Sequence, residues 1–321
     1  LSALLLPGRC LVIDPIIALI QDQMDNLRRA GIDRSIGIDS GMEREERELS
    51  ADRFASGQYL FCFVAPERLQ SDSFRAALRK LTVSGPVSLV AIDESHCVSE
   101  WGHTFRPAYL SLAQTVREYC SRPGERVPVA ALTGTASQVV LKDVQRTLEI
   151  TDLSAVIFPE SFNRSELNFN IFSCRTQEKT HSLKGFIERL SSDFGIPPGQ
   201  LFLVNGENTY SGMVFCPHAA NTRYSVQEYK NVFEKDLGAP VATYTAGMGQ
   251  EQKHEQSSLF KHNLVPIMIC TNSYGMGIDK PNVRYTAHIG IPQSIEAFYQ
   301  EAGRAGRDKK LSHCGIIFSD D

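Results

Sequence analysis

Short apolar runs recur along the chain and alternate with longer stretches of mixed polarity. Cys10–Ile13, Leu60–Val64, Val87–Ile92, Val129–Leu132, Met213–Cys216, Val241–Tyr244, Pro266–Cys270, Arg284–Ile289 and Gly315–Phe318 are the candidates for strands. Continuous runs of this length suit strands buried on both faces of a parallel sheet. The stretches between them read as helices. Pro15–Ala30, for example, carries proline in its first turn and Gly31 just past its end. The alternation predicts an α/β fold in which mainly parallel sheets are flanked by helices.

The rhythm breaks at Phe158–Asn170, a polar segment that predicts a boundary between two lobes of similar size, 1–157 and 158–321. Gly195–Gly212, with Pro-Pro and several glycines, reads as a long surface loop before the first strand of the second lobe.

Composition adds bounds. At 321 residues there is room for about two domains. With 42% hydrophobic and 22% charged residues the chain reads as soluble and globular. No apolar run approaches the ~20 residues of a membrane-spanning helix, so no membrane partner is expected. Eight cysteines, scattered without a CxxC pair, suggest reduced thiols of an intracellular protein. The net charge of −4 argues against coating nucleic acid by bulk charge, but leaves room for a narrow basic groove.

Chemistry concentrates where strands end. The run VSLVAI feeds into Asp93-Glu94, and open α/β sheets bind ligands at the carboxyl ends of their strands. In a nucleotide hydrolase one acid holds Mg²⁺ and a second orients the attacking water, with His96 placed to couple this site to its surroundings. Acids capping the next helix are an equally good reading of the pair alone. VAALTGTA (129–136) is another apolar strand ending in hydroxyl residues, and APERL (65–69) follows a third. Further on, Arg304 and Arg307 in QEAGRAGRDKK stand three apart, a spacing that on a helix puts them on one face. There they suit phosphates reached across an interlobe cleft, or a solvated basic helix end.

Taken in order, VIDPIIALIQDQ, APERL, DESHC, WGHTFRPAY, ALTGTA, FNRSEL, MVFC, YTAGM, GMGIDKPNVR and QEAGRAGRD resemble the RecQ family of DNA helicases across essentially the whole chain. The resemblance implies two RecA-like lobes, ATP and Mg²⁺ as cofactors, and 3′-to-5′ unwinding of single-stranded and partly duplex DNA. It implies roles in repair and recombination, in the bacterial nucleoid or a eukaryotic nucleus. By resemblance Asp93 holds Mg²⁺, Glu94 activates water and Arg307 is the arginine finger. Arg304 and Gln300 support it, and Asp279 lies near the ribose. Thr133 and Thr135 link nucleotide state to lobe movement. The loops at Pro15, Glu67–Arg68 and Thr271–Asn272–Ser273 track the DNA backbone. Trp101, Phe105 and Arg106 sense single-stranded DNA, whose bases stack on aromatic faces while arginine holds a phosphate. Tyr109 reads equally as a DNA residue or as core.

The chain departs from the usual pattern at several positions. Asp14 replaces serine, Ser95 alanine, Thr104 an acid, Gly134 alanine and Thr245 histidine, and PHAAN follows MVFC. No GxxxxGK[ST] phosphate loop occurs, and LSALLL reads as the tail of a helix. The expectation is a first lobe truncated after that loop, inactive by itself. Two alternatives stand beside the helicase: a non-catalytic DNA-binding scaffold derived from one, and an RNA-directed DExH helicase.

Overall fold

The computed structural model describes the whole chain except residues 1, 40, 100–105, 135–136, 159–160, 162, 275–278 and 321, and the side chains of residues 18, 84 and 153. The chain divides into two compact units, Leu1–Phe158 and Pro159–Asp321.

In the first unit strands and helices alternate: β1 (Arg9–Ile13), α1 (Ile17–Arg29), β2 (Ser35–Ile38), α2 (Arg44–Ala55), β3 (Phe61–Val64), α3 (Asp72–Ser84), β4 (Val87–Ile92), α4 (Leu112–Cys120), β5 (Val129–Ala131) and α5 (Gln138–Thr147). The five strands form one parallel sheet in the order β2-β3-β1-β4-β5. Strand order reverses around β1, so the carboxyl ends of β1 and β4 lie at the crevice where such sheets hold ligands. Burial explains the apolar runs: all four residues of β3 are buried between the helical layers. Leu11, Ile13, Phe54, Phe74, Leu78 and Tyr109 form much of the core.

The second unit holds β6 (Leu167–Ser173), α6 (Lys179–Asp193), β7 (Ser211–Phe215), α7 (Val226–Asn231), β8 (Val241–Tyr244), α8 (Gln250–Lys261), β9 (Ile267–Cys270), β10 (Val283–Ile289), α9 (Ile295–Ala302) and β11 (Ser312–Phe318). Its sheet is also parallel, in the order β6-β11-β10-β7-β9-β8. Gly212 is dictated by packing: a Cβ there would sit 2.0 Å from the Tyr285 ring. All eight cysteines are unpaired thiols. Among the described residues no helix is long and apolar enough to cross a membrane.

Several expectations need correction. β2 and β6 were not foreseen, because each is an edge strand with polar or glycine positions interleaved. β6 falls partly within the segment read as a polar boundary. The Gly195–Gly212 stretch therefore precedes the second strand of its unit, and its 3₁₀ turn Gln200–Phe202 buries Leu201. α1 starts at Ile17, not Pro15, since the Asp14 carboxylate accepts the Ile16 N–H at 3.0 Å and holds an extended turn first.

Candidate functional site

At the carboxyl end of β4 the Asp93 N–H donates to the Ile13 carbonyl at 2.8 Å, tying this end to β1. Glu94 then takes a left-handed backbone, φ 46° and ψ 43°. Such geometry costs a non-glycine residue ~1–2 kcal/mol and persists where its surroundings enforce it. Two bonds do so here. Asp93 Oδ1 accepts the Glu94 N–H at 2.8 Å, and the Ser95 N–H donates to the Leu132 carbonyl beyond β5 at 2.8 Å.

The turn brings Glu94 Oε2 to 3.2 Å from His96 Nδ1, which also lies 3.1 Å from Thr133 Oγ1. Burial lowers the His96 pKa against the opposing pull of the Asp93 charge. The imidazole is thus neutral near pH 7, and because a carboxylate only accepts, the contact with Glu94 requires the proton on Nδ1. One ring connects the acid after β4 to the hydroxyl after β5. Thr135 lies outside the described residues.

The neighbouring positions separate into packed and exposed groups. Tyr109 is fully buried, and its hydroxyl donates to the Asp93 carbonyl at 3.2 Å, so it belongs to the core beneath the acids. Arg106 reaches Glu67 of the APERL segment at 3.4 Å, joining two sequence-predicted positions. Arg68, one residue on, is half-buried. Pro15 is buried and presents little surface to a strand of DNA. Trp101 and Phe105 lie outside the described residues.

Asp14 sits at the end of β1 with 1% of its surface exposed. Desolvation, with the Asp93 and Glu94 charges adding, raises its pKa to about 7 against the Ile16 N–H bond and the Arg106 charge. Its Oδ2 is buried without a hydrogen-bond partner among the described residues.

In the second unit the two arginines do not share a helix face. α9 ends at Ala302, and Gly303 and Gly306, the latter at φ 65°, turn the chain so that Arg304 is buried and Arg307 exposed. Arg307 pairs with Asp279 at 2.8 Å, which brings together two predicted nucleotide residues. Gln300 lies within α9. Thr271, Asn272 and Ser273 follow β9 in a partly exposed turn, with the Thr271 and Ser273 hydroxyls 2.8 Å apart. Among the described residues no cluster of three or more His, Cys, Asp or Glu side chains could hold a metal by itself.

Comparison with known proteins fits this geometry. A family profile described as DEAD/DEAH box helicase matches residues 2–144, and one described as Helicase conserved C-terminal domain matches residues 199–309. A probable ATP-dependent DNA helicase RecS of Bacillus subtilis is 34% identical over 97% of the chain. ATP-dependent DNA helicase RecQ of the same organism is 32% identical over 99%. The chain belongs to the RecQ family of helicases. It spans 56% of the RecS relative and 48% of the RecQ one. The fold is shared more widely. A structure of Mss116p bound to single-stranded RNA and AMP-PNP superposes with a TM-score of 0.69 at 15% identity, covering 98% of this chain and 60% of that one. Lhr of Mycobacterium smegmatis bound to single-stranded DNA and AMP-PNP gives 0.68 at 17%, covering 97% and 40%.

Two features of this RecQ-family chain escaped the sequence reading. Arg164, from FNRSEL, donates to the Gly303 and Ala305 carbonyls and pairs with Glu166 at 2.8 Å, so it holds the turn that carries Arg304 and Arg307. Lys280 and Asn282, from GMGIDKPNVR, are buried and both donate to the Asn263 amide oxygen. Part of that motif therefore secures β10 to the end of α8. Nothing in the spacing alone separates such structural positions from ligand contacts.

Proposed function

We propose that this chain is the motor core of an ATP-dependent DNA helicase that moves 3′ to 5′ along single-stranded DNA and unwinds duplex ahead of it. The observation that carries this reading is the Glu94–His96–Thr133 chain of contacts at the carboxyl end of a parallel sheet. It couples a water-activating acid to the segment that would respond to nucleotide state. The curated relatives are named ATP-dependent DNA helicases, which supports the same assignment.

In this reading Glu94 accepts a proton from the attacking water, and the neutral His96 orients its carboxylate. Asp93 would hold Mg²⁺. One carboxylate suits that ion, which is usually bound by one or two acids together with phosphate oxygens and water rather than in an all-protein cage. When bound, the ion would neutralise charge on the phosphates. Arg307, with Arg304 and Gln300 supporting it, would stabilise the charge that develops on the transferring phosphoryl group, and Asp279 would face the ribose. Thr133 and Thr135 would pass nucleotide state onward. DNA would be held by the Glu67–Arg68 and Thr271–Ser273 turns, with Pro15 contributing through its backbone at most. Arg106, Trp101 and Phe105 would report strand occupancy to the acids.

Glu94→Gln in the full-length protein is the test. It keeps the size of the side chain and removes the base, so hydrolysis should fall by about 10²–10⁴ while ATP still binds. Hydrolysis at the unaltered rate would refute the assignment.

A further inference from the structure

Away from the acids, the first unit contains a cavity of about 310 Å³ between α2 and the start of α3. That is well above the ~10–15 Å³ a cavity needs to hold one water. Arg44, Arg47 and Arg68 line it together with Ser71, Ser73 and Glu48, over an apolar floor of Ala51 and Phe74. Glu48 is the only carboxylate among these lining residues, and it is engaged by Arg44 at 3.0 Å. Arg47 and Arg68 bring two further cations. The Nε of each is buried and has no hydrogen-bond partner among the described residues. Burial, with the adjacent Arg47 charge, lowers the Arg68 pKa. A buried donor without a partner costs ~1–3 kcal/mol, more when charged, so the cavity lacks an acceptor that would relieve both arginines.

The backbone favours the same sign of ligand. α2 follows β2 and α3 follows β3, so both helices begin at the carboxyl edge of the parallel sheet. Ser71 stands at the N-cap of α3 yet makes no side-chain cap, its hydroxyl instead meeting that of Ser73 at 2.9 Å. Asp72 is fully exposed and lies 3.8 Å from Arg75. The first-turn N–H groups of α3 are thus left for an anion, which the helix dipole also attracts.

We propose that this cavity seats a phosphodiester of the DNA backbone, gripped by Arg47 and Arg68 with Arg44 closing over it. This rests on the reading of the chain as a DNA motor, and adds α2, which carries none of the resemblance motifs, to the path of the strand. The location favours a nucleic-acid phosphate. Arg68 adjoins Glu67, which is paired with Arg106 of the WGHTFRPAY segment, so the cavity continues the surface expected to meet DNA. The contact carries no base information and acts on any sequence alike.

The test is binding of the full-length protein to fluorescein-labelled oligo(dT), followed by anisotropy across a salt titration. Arg44→Ala with Arg47→Ala should weaken binding roughly tenfold. It should also lower the slope of log K against log salt by about 0.7 for one seated phosphate. Arg44→Lys with Arg47→Lys should restore the slope, because the charge returns. Glu48→Gln should tighten binding, a gain that a damaged fold does not produce. Unaltered affinity and slope in all three variants would overturn the proposal. So would variants that change only thermal protection by inorganic phosphate, since the cavity would then be a free-anion site. Failure of the unmodified protein to bind oligo(dT) would instead remove the DNA reading beneath it.

Discussion

Replacing Asp14 by asparagine isolates the cost of a buried acid beside two others. Asp14 is 1% exposed, and burial raises its pKa from 3.8 to about 7. At ~1.36 kcal/mol for each pKa unit, that gap is worth about 4 kcal/mol. The sign follows from proton uptake. Between the two values the folded chain keeps a proton that the unfolded chain has released, so stability falls as pH rises through this window. Below pH ~4 both states are protonated and no cost exists, while above pH ~7 the full cost remains. Asparagine has the same shape and never ionises. Its advantage over the parent chain should therefore grow by about 3 kcal/mol between pH ~5 and pH ~8. The only tryptophan, Trp101, lies within the first unit, so its fluorescence in urea follows that unit apart from the second. Parallel stability curves for the two chains across this range would refute the reasoning, and the acid would then be paired or hydrated.

Two further perturbations test packing that supports the site. Tyr109→Phe removes one hydrogen bond to the Asp93 carbonyl and should cost about 1 kcal/mol in the same urea assay; an unchanged midpoint would show the hydroxyl to be idle. Arg164→Ala strips donors from the Gly303 and Ala305 carbonyls and should destabilise the second unit by about 2–3 kcal/mol. Amide exchange over residues 303–307 should rise with it, and retained protection would show that the turn holds itself.

Central strands were legible because both faces are buried: the apolar runs at β3, β4, β7 and β10 leave little else for those residues to do. Edge strands were legible only where an apolar run remained, as in β5 and β8, and not in β2 or β6. In β6, Leu-Asn-Phe-Asn-Ile alternates apolar and polar residues, but only Leu167 is buried while Phe169 and Ile171 stay exposed, and the polar residues before it made the whole segment look like a linker. Asp93 and Glu94 were placed by the strand that precedes them. The arginines illustrate the limit of spacing arguments. A separation of three means one face only while the helix lasts, and Gly303 and Gly306 end it between the last turn and Arg307. Arg164 and Tyr109 look like ligand residues in a motif string, and only their partners show that they carry structure.

The strand order of the second unit also bears on how the chain is made. β6 emerges first from the ribosome, but its sole neighbour in the sheet is β11, which emerges last. The β7 to β10 framework can assemble during synthesis, while β6 must wait for nearly the whole unit to be extruded. Arg164, just before β6, and the turn it clasps after α9 meet only at that late stage. Within this unit the arginine turn is thus clasped late, and a chain interrupted before β11 exposes an unpaired strand edge that is open to aggregation or proteolysis.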